Sequence, residues 1–258
     1  MVLLKIHFSR ETEFTISRAT LAIALVVALL ATARAASADQ QYNVSGEDVY
    51  RIGPAQTISR VVYDGYQRLT VHRQGKSVRY DAQAHYVRES AQGKSTADAR
   101  FVQELLPNGT FEDRFDEDPD FLTILNQPFA IQLDAATMGD LRKLRGAVPF
   151  DASSPLGSEA PLRGFLRPGI RGAIDGRPVV AVRFEAEGPM NGPLPDHAGG
   201  TMSGRMRMDG TAYYAVDNAM LLALDATLTI DARLRESTDS VPVKITYRRF
   251  IRATGSAK

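Results

Sequence analysis

The side chains able to do acid–base, nucleophilic or metal chemistry are few in this chain of 258 residues, and they do not converge on a motif. Cysteine is absent, which excludes disulfides, thiol catalysis, cysteine-ligated zinc and a lipidated cysteine. Beyond the first 38 residues the histidines are His72, His85 and His197, at spacings unlike any H-x-H or H-E-x-x-H ligand pair. Asp196 and His197 are adjacent and stand before a Gly-Gly, but neighbouring residues of an extended chain point to opposite sides. There is no G-x-S-x-G elbow and no phosphate-cradling glycine loop, and Asp134-Ala135-Ala136 lacks the hydroxyl and glycine of an aspartic-protease loop. The acidic run Glu112, Asp113, Asp116, Glu117, Asp118, Asp120 contains D-x-D-x-D spacing. Pro119 and Phe121 interrupt it, and Gln127 stands where a calcium loop needs its bidentate glutamate. The expectation is a protein that is not an enzyme and has no metal and no cofactor.

The residues that could do something else are apolar. Met206, Met208, Met220, Leu222 and Leu224 are the candidate ligand-binding set, because a flexible thioether suits a surface that accommodates varied apolar shapes. What positions them is an alternation of period two. From Met220 to Leu234 every even residue is apolar, and from Asp225 every odd one is polar, the signature of a strand with one buried face. Met206, Met208, Gly210, Ala212, Tyr214 and Val216 alternate in the same way upstream, with Asp217-Asn218 as the turn. Val241, Val243, Ile245 and Tyr247 alternate downstream of a polar break. Residues 201–258 therefore read as a three-stranded antiparallel meander.

Residues 39–130 read as a second meander. Ile58–Tyr63 and Gln67–Arg73 flank Asp64-Gly65, taken as a hairpin turn, and Gln74-Gly75 makes the next. Val78, Tyr80, Ala82, Ala84 and Tyr86 then share a face. A strand over Thr96–Leu105 places Ala97, Ala99, Phe101 and Leu105 inward and ends at Pro107-Asn108-Gly109. Residues 131–200 hold a short helix, capped by Asp134 and closed by Gly146, with Met138, Leu141 and Leu144 on one side and Arg142, Lys143 and Arg145 at its negative end. Eight of the thirteen prolines lie between Pro149 and Pro195, which predicts a loop-rich connection with short strands such as Val179–Ala186.

The first 38 residues read as a secretory signal peptide. Lys5, Arg10 and Arg18 precede an apolar run from Leu21 to Leu30, and cleavage sites follow at Ala33-Arg34-Ala35 and Ala36-Ser37-Ala38. The run is too short for a membrane span, so the expected mature chain has none. Its removal takes Lys5, Arg10, Arg18, Arg34, Glu11 and Glu13 with it, so the formal charge falls from +1 to −1. A near-neutral chain has no global attraction to nucleic acid. Arg205, Arg207, Arg233, Arg235, Lys244, Arg248 and Arg252 all fall on polar phases of the C-terminal meander, so that wet face offers an alternative contact with an anionic surface.

The segment from Gly210 to Ile230, Gly-Thr-Ala-Tyr-Tyr-Ala-Val-Asp-Asn-Ala-Met-Leu-Leu-Ala-Leu-Asp-Ala-Thr-Leu-Thr-Ile, resembles the late hairpin of exported proteins with an open, lipoprotein-carrier-like half-barrel. No binding residue of such carriers has a counterpart here, so the resemblance implies architecture alone. The sequence reading is thus a mainly β, exported protein of the periplasm or cell envelope. Antiparallel meanders form one strongly curved sheet or half-barrel, or two sheets, with one short packed helix. The expected function is non-catalytic binding of a lipid or other amphiphile. The alternative is a structural or protein-interaction domain of the cell envelope without a small-molecule site.

Overall fold

The computed structural model describes residues 40–55, 57–74, 77–105, 111–115, 132–133, 135–143, 145–152, 161–169, 171–193, 200–236 and 239–254. The signal peptide, the calcium-like spacing from Asp116 to Asp120, Gln127, the turns at Gly75 and Pro107–Gly109, and Asp134, Leu144 and His197 lie outside these residues.

Twelve antiparallel strands form a single sheet: β1 (Gln40–Ile52), β2 (Thr57–Gln74), β3 (Ser77–Ser90), β4 (Gly93–Leu105), β5 (Phe111–Phe115), β6 (Val148–Ala152), β7 (Leu162–Pro168), β8 (Gly172–Ile174), β9 (Arg177–Pro193), β10 (Thr201–Ala215), β11 (Leu221–Glu236) and β12 (Asp239–Thr254). Their order is β5-β4-β3-β2-β1-β12-β11-β10-β9-β7-β6, with β8 paired to β9 off this path. Among the described residues one helix, α1 (Ala135–Lys143), precedes β6. The two meanders are one sheet because β1 pairs with β12 along nearly its whole length, Gln41 with Thr254 through Ile52 with Val243. Among the described residues the sheet does not close, since β5 and β6 are its two edges and do not pair with each other.

The sheet is strongly curved. β3 and β11 are four strand spacings apart along the sheet, about 19 Å if it were flat. Yet Gln132 touches both sides of that interval: its Oε1 accepts from the Tyr80 hydroxyl on β3, and its Nε2 donates to the Asn218 carbonyl in the β10–β11 turn at 2.7 Å. One cluster of buried side chains correspondingly runs from Tyr80 and Tyr86 to Met206 and Phe184. The even residues of β11 from Leu224 to Leu234 are all buried, and β3 buries Val78, Tyr80, Ala82, Ala84 and Tyr86, as their alternation predicts. On β4, Ala97 packs against the core. Helix α1 contributes Met138 and Leu141, and Gly146 takes a left-handed φ of 86° just beyond it, as a terminating glycine does.

Two expectations about local structure are corrected. Asp64-Gly65 is not a turn, because β2 runs straight through it. Gly65 pairs with Val44 and Tyr86, and a Cβ there would stand 2.1 Å from the His85 carbonyl oxygen and 2.6 Å from the Tyr86 Cα. The glycine lets β3 approach; it does not reverse the chain. The hairpin dipeptide that does turn is Asp175-Gly176, where both residues have positive φ, 50° and 79°, between β8 and β9. The Pro149–Pro195 segment is also more regular than its composition suggests. It holds part of β6, then β7, β8 and the 17-residue β9. Pro178, Pro189 and Pro193 fit because each has a paired strand on one side only, whereas Val182–Glu187 has β7 and β10 on both.

Candidate functional site: the inward face of the sheet

The inward face divides into an apolar half and a tyrosine-rich half. On the apolar half Met190, Met202, Met206 and Met208 from β9 and β10 are all buried. The register sets each across from a small residue: Met190 faces Gly204, Met202 faces Gly192, Met206 faces Gly188 and Met208 faces Ala186. Four flexible thioether side chains therefore have register partners with little or no side chain across the β9–β10 pair. This produces an apolar surface whose shape is set by methionine rotamers and not by branched side chains locked against one another.

Of the five residues singled out for ligand binding, Met206, Met208, Met220 and Leu224 belong to this cluster. Leu222 does not. The register slips between Tyr213 and Tyr214, which pair with Ala223 and Leu221, so Leu222 is the extra residue of a bulge and packs with Val179 and Ala215 in a separate cluster. A bulge reverses which parity faces inward, and the uninterrupted even-numbered apolar run concealed it.

The other half contains a feature that alternation alone did not expose. Arg249 and Asp48, 0% and 1% exposed, form a two-pronged ion pair: Nη1 donates to Oδ1 and Nη2 to Oδ2, the latter at 3.2 Å. Arg249 Nη1 also donates to the Arg248 carbonyl at 2.9 Å. The guanidinium lies over the Tyr63 ring at 4.8 Å and the Tyr247 ring at 5.9 Å, and Tyr50 meets Tyr247 edge-on. Gly46 is paired opposite Arg249, and a Cβ there would come within 2.8 Å of the arginine Cδ, so the missing side chain is what lets Arg249 lie across the strand. Arg88 stacks over Tyr63 and Tyr86 at 5.5 and 5.8 Å.

The tyrosines of this face are held protonated. Burial pushes Tyr42, Tyr63, Tyr80 and Tyr214 well above the ordinary phenol value, and for Tyr63 the neighbouring Asp48 adds to it. They act as hydrogen-bond donors: Tyr42 donates to the Leu221 carbonyl at 2.9 Å, Tyr63 bonds Asp48, and Tyr80 donates to Gln132. Gln132 and Leu133 are themselves bound to the β10–β11 turn, Leu133 N donating to the Ala219 carbonyl at 3.0 Å. A polar strap thus crosses one end of the concavity, just before α1.

The outer face carries cross-strand charge pairs. His72 stands 3.1 Å from Asp81 and His85 2.8 Å from Asp98, both histidines substantially exposed. Arg205, Arg207, Arg233, Arg235, Lys244, Arg248 and Arg252 are all exposed there, with Arg252 paired to Asp175, Arg207 near Asp209 and Arg248 near Glu47. An open groove of about 570 Å³ lies between β7 and β11, lined by Phe165, Arg167, Arg183, Asp209, Thr211 and Asp225 among others. Partial burial raises the Asp225 carboxyl pKa, with Asp209 adding to the rise and Arg248 opposing it. Among the described residues no three histidines or carboxylates stand together as metal ligands, and no helix is long and apolar enough to cross a membrane. The chain matches no protein-family model and no curated protein, so its own geometry is the basis for a functional reading.

Proposed function

We propose that this protein is an exported, non-catalytic carrier that binds an apolar or amphiphilic ligand on the inward face of its sheet. The observation that carries this reading is the methionine–glycine pairing on β9 and β10: four buried thioethers, each opposite glycine or alanine, on an unclosed sheet. A core serving stability alone is better filled by branched side chains in single rotamers, whereas an adaptable surface suits a ligand that enters and leaves. The β scaffold and the polar strap at Gln132, bonded to both Tyr80 and the β10–β11 turn, give that surface a fixed frame. The alternative, a cell-envelope interaction domain without a small-molecule site, is separated by direct titration.

Delipidated protein is expected to take up an environment-sensitive acyl probe saturably, and Met208→Val, which removes the thioether without burying a charge, to weaken uptake about threefold to tenfold while circular dichroism shows the fold retained. Absence of uptake by folded, delipidated wild-type protein would remove the carrier reading and leave the interaction domain. Export belongs to the same proposal. N-terminal sequencing of the protein from the native envelope is expected to begin at Ala36 or Asp39, and a mature protein starting at Met1 or Val2 would contradict it.

A further inference from the structure

Around Gln67 the tyrosine-rich half of the inward face is thin. Gln67 on β2 pairs with Tyr42 on β1 and Ala84 on β3. Gly65 is the next inward residue of the same strand, Ala82 lies beside Ala84, and Ala97 on β4 pairs with Tyr86. Residues two apart on a strand are separated by about 7 Å and cross-strand partners by about 5 Å. The space beside Gly65 is taken up by the Tyr86 backbone, so the short side chains of Ala82, Ala84 and Ala97 alone outline a shallow trough, with Tyr80 and Tyr86 of β3 at its two ends. Small side chains alone make no site.

The second observation is Gln67 itself. It is 2% exposed, lies on this face, and its Oε1 is buried with no hydrogen-bond partner. Buried side-chain oxygens are ordinarily satisfied, because leaving one without a donor costs about 1–3 kcal/mol. The nearby hydroxyls do not supply that donor. Tyr42 spends its proton on the Leu221 carbonyl and Tyr80 on Gln132, and burial keeps both phenols from ionising, so neither bond changes with pH near neutrality.

An amide oxygen accepts from O–H or N–H and repels a carboxylate or phosphate. The principal cation of this face, Arg249, already has its charge matched by Asp48. We infer that the trough around Gln67 is a head-group subsite for an uncharged, hydroxyl-bearing amphiphile, whose hydroxyl donates to Gln67 Oε1 and whose apolar body extends toward the methionines of β9 and β10. This deepens the carrier reading and rests on it.

The test is competition against the bound acyl probe by a long-chain primary alcohol, its methyl ether and the carboxylic acid of the same chain length. For wild-type protein the alcohol is expected to compete roughly threefold to tenfold better than the ether, the contribution of one hydrogen bond, and better than the acid. Gln67→Leu is expected to take up the probe with the alcohol and ether now equal. Gln67→Met, closer in shape, repeats the measurement should the leucine variant fail to fold. Ala84→Leu, which fills the trough, should weaken alcohol and ether alike. Equal competition by alcohol and ether in wild type overturns the subsite while leaving the carrier standing, as does a preference that survives removal of the Gln67 amide. Preference for the acid would do the same and would direct attention to Arg88, stacked beside Tyr86. Failure of the folded wild-type protein to bind any of the compounds removes the carrier and the subsite together.

Discussion

Arg249→Met alone is expected to lower the unfolding free energy by about 3–5 kcal/mol, and Asp48→Leu combined with Arg249→Met to recover most of that loss. The single substitution strands a carboxylate that is 1% exposed and bonded by the Tyr63 hydroxyl. A buried, uncompensated charge is among the most destabilising changes a core can suffer. Removing both charges also removes both desolvation costs, and leucine with methionine keeps the volume between Tyr63 and Tyr247 filled. Urea denaturation of the three proteins measures this directly. Should the double variant be as unstable as the single one, the stacking of Arg249 on the two rings, at 4.8 and 5.9 Å, would be the larger contribution and the ion pair a minor one. Either result bears on the proposed function, because this cluster lies in the tyrosine-rich half of the inward face.

Leu228→Asp is expected to destabilise by about 3 kcal/mol or more, whereas Thr227→Asp costs about 1 kcal/mol or less. Leu228 is 2% exposed and sits between Met208 and Tyr247 on the neighbouring strands, so an aspartate there is buried with no partner. Thr227 faces outward between Asp209 and Arg248, where water and the arginine offset the added charge. The contrast between adjacent positions tests the strand phase, on which the inward placement of the methionine surface depends. Equal shifts of the urea midpoint for the two variants would mean that β11 does not have the alternating buried and exposed faces described, and a larger shift for Thr227→Asp that the two faces are exchanged.

What was legible in the sequence was whatever depends on a local period. The alternation in β3, β10, β11 and the first half of β12 is a property of successive residues, and it identified antiparallel strands and their buried face, as the helical spacing of Met138 and Leu141 identified one short helix. Met206, Met208, Met220 and Leu224 were placed on a common inward cluster by that period alone. It failed where residues on the inward phase are polar or small. β1 went unrecognised because Gly46 and Asp48 interrupt the apolar series of Tyr42, Val44 and Tyr50, and the visible alternation of β12 stopped at Tyr247 because Arg249 follows on the same phase. These interruptions are the ion pair and the gap that accommodates it. Asp48 and Arg249 lie 201 residues apart, and nothing local marks either as the other's partner. The bulge at Leu222, the strand through Asp64-Gly65 and the proline-bearing β9 are likewise matters of pairing. Each is decided by which backbone lies alongside: Gly65 is needed because β3 approaches there, and the prolines are tolerated because one side has no strand to bond. The joining of two meanders into one sheet through β1 and β12 belongs to the same class. A period of two determines which way a side chain points, and only tertiary structure decides what it then meets.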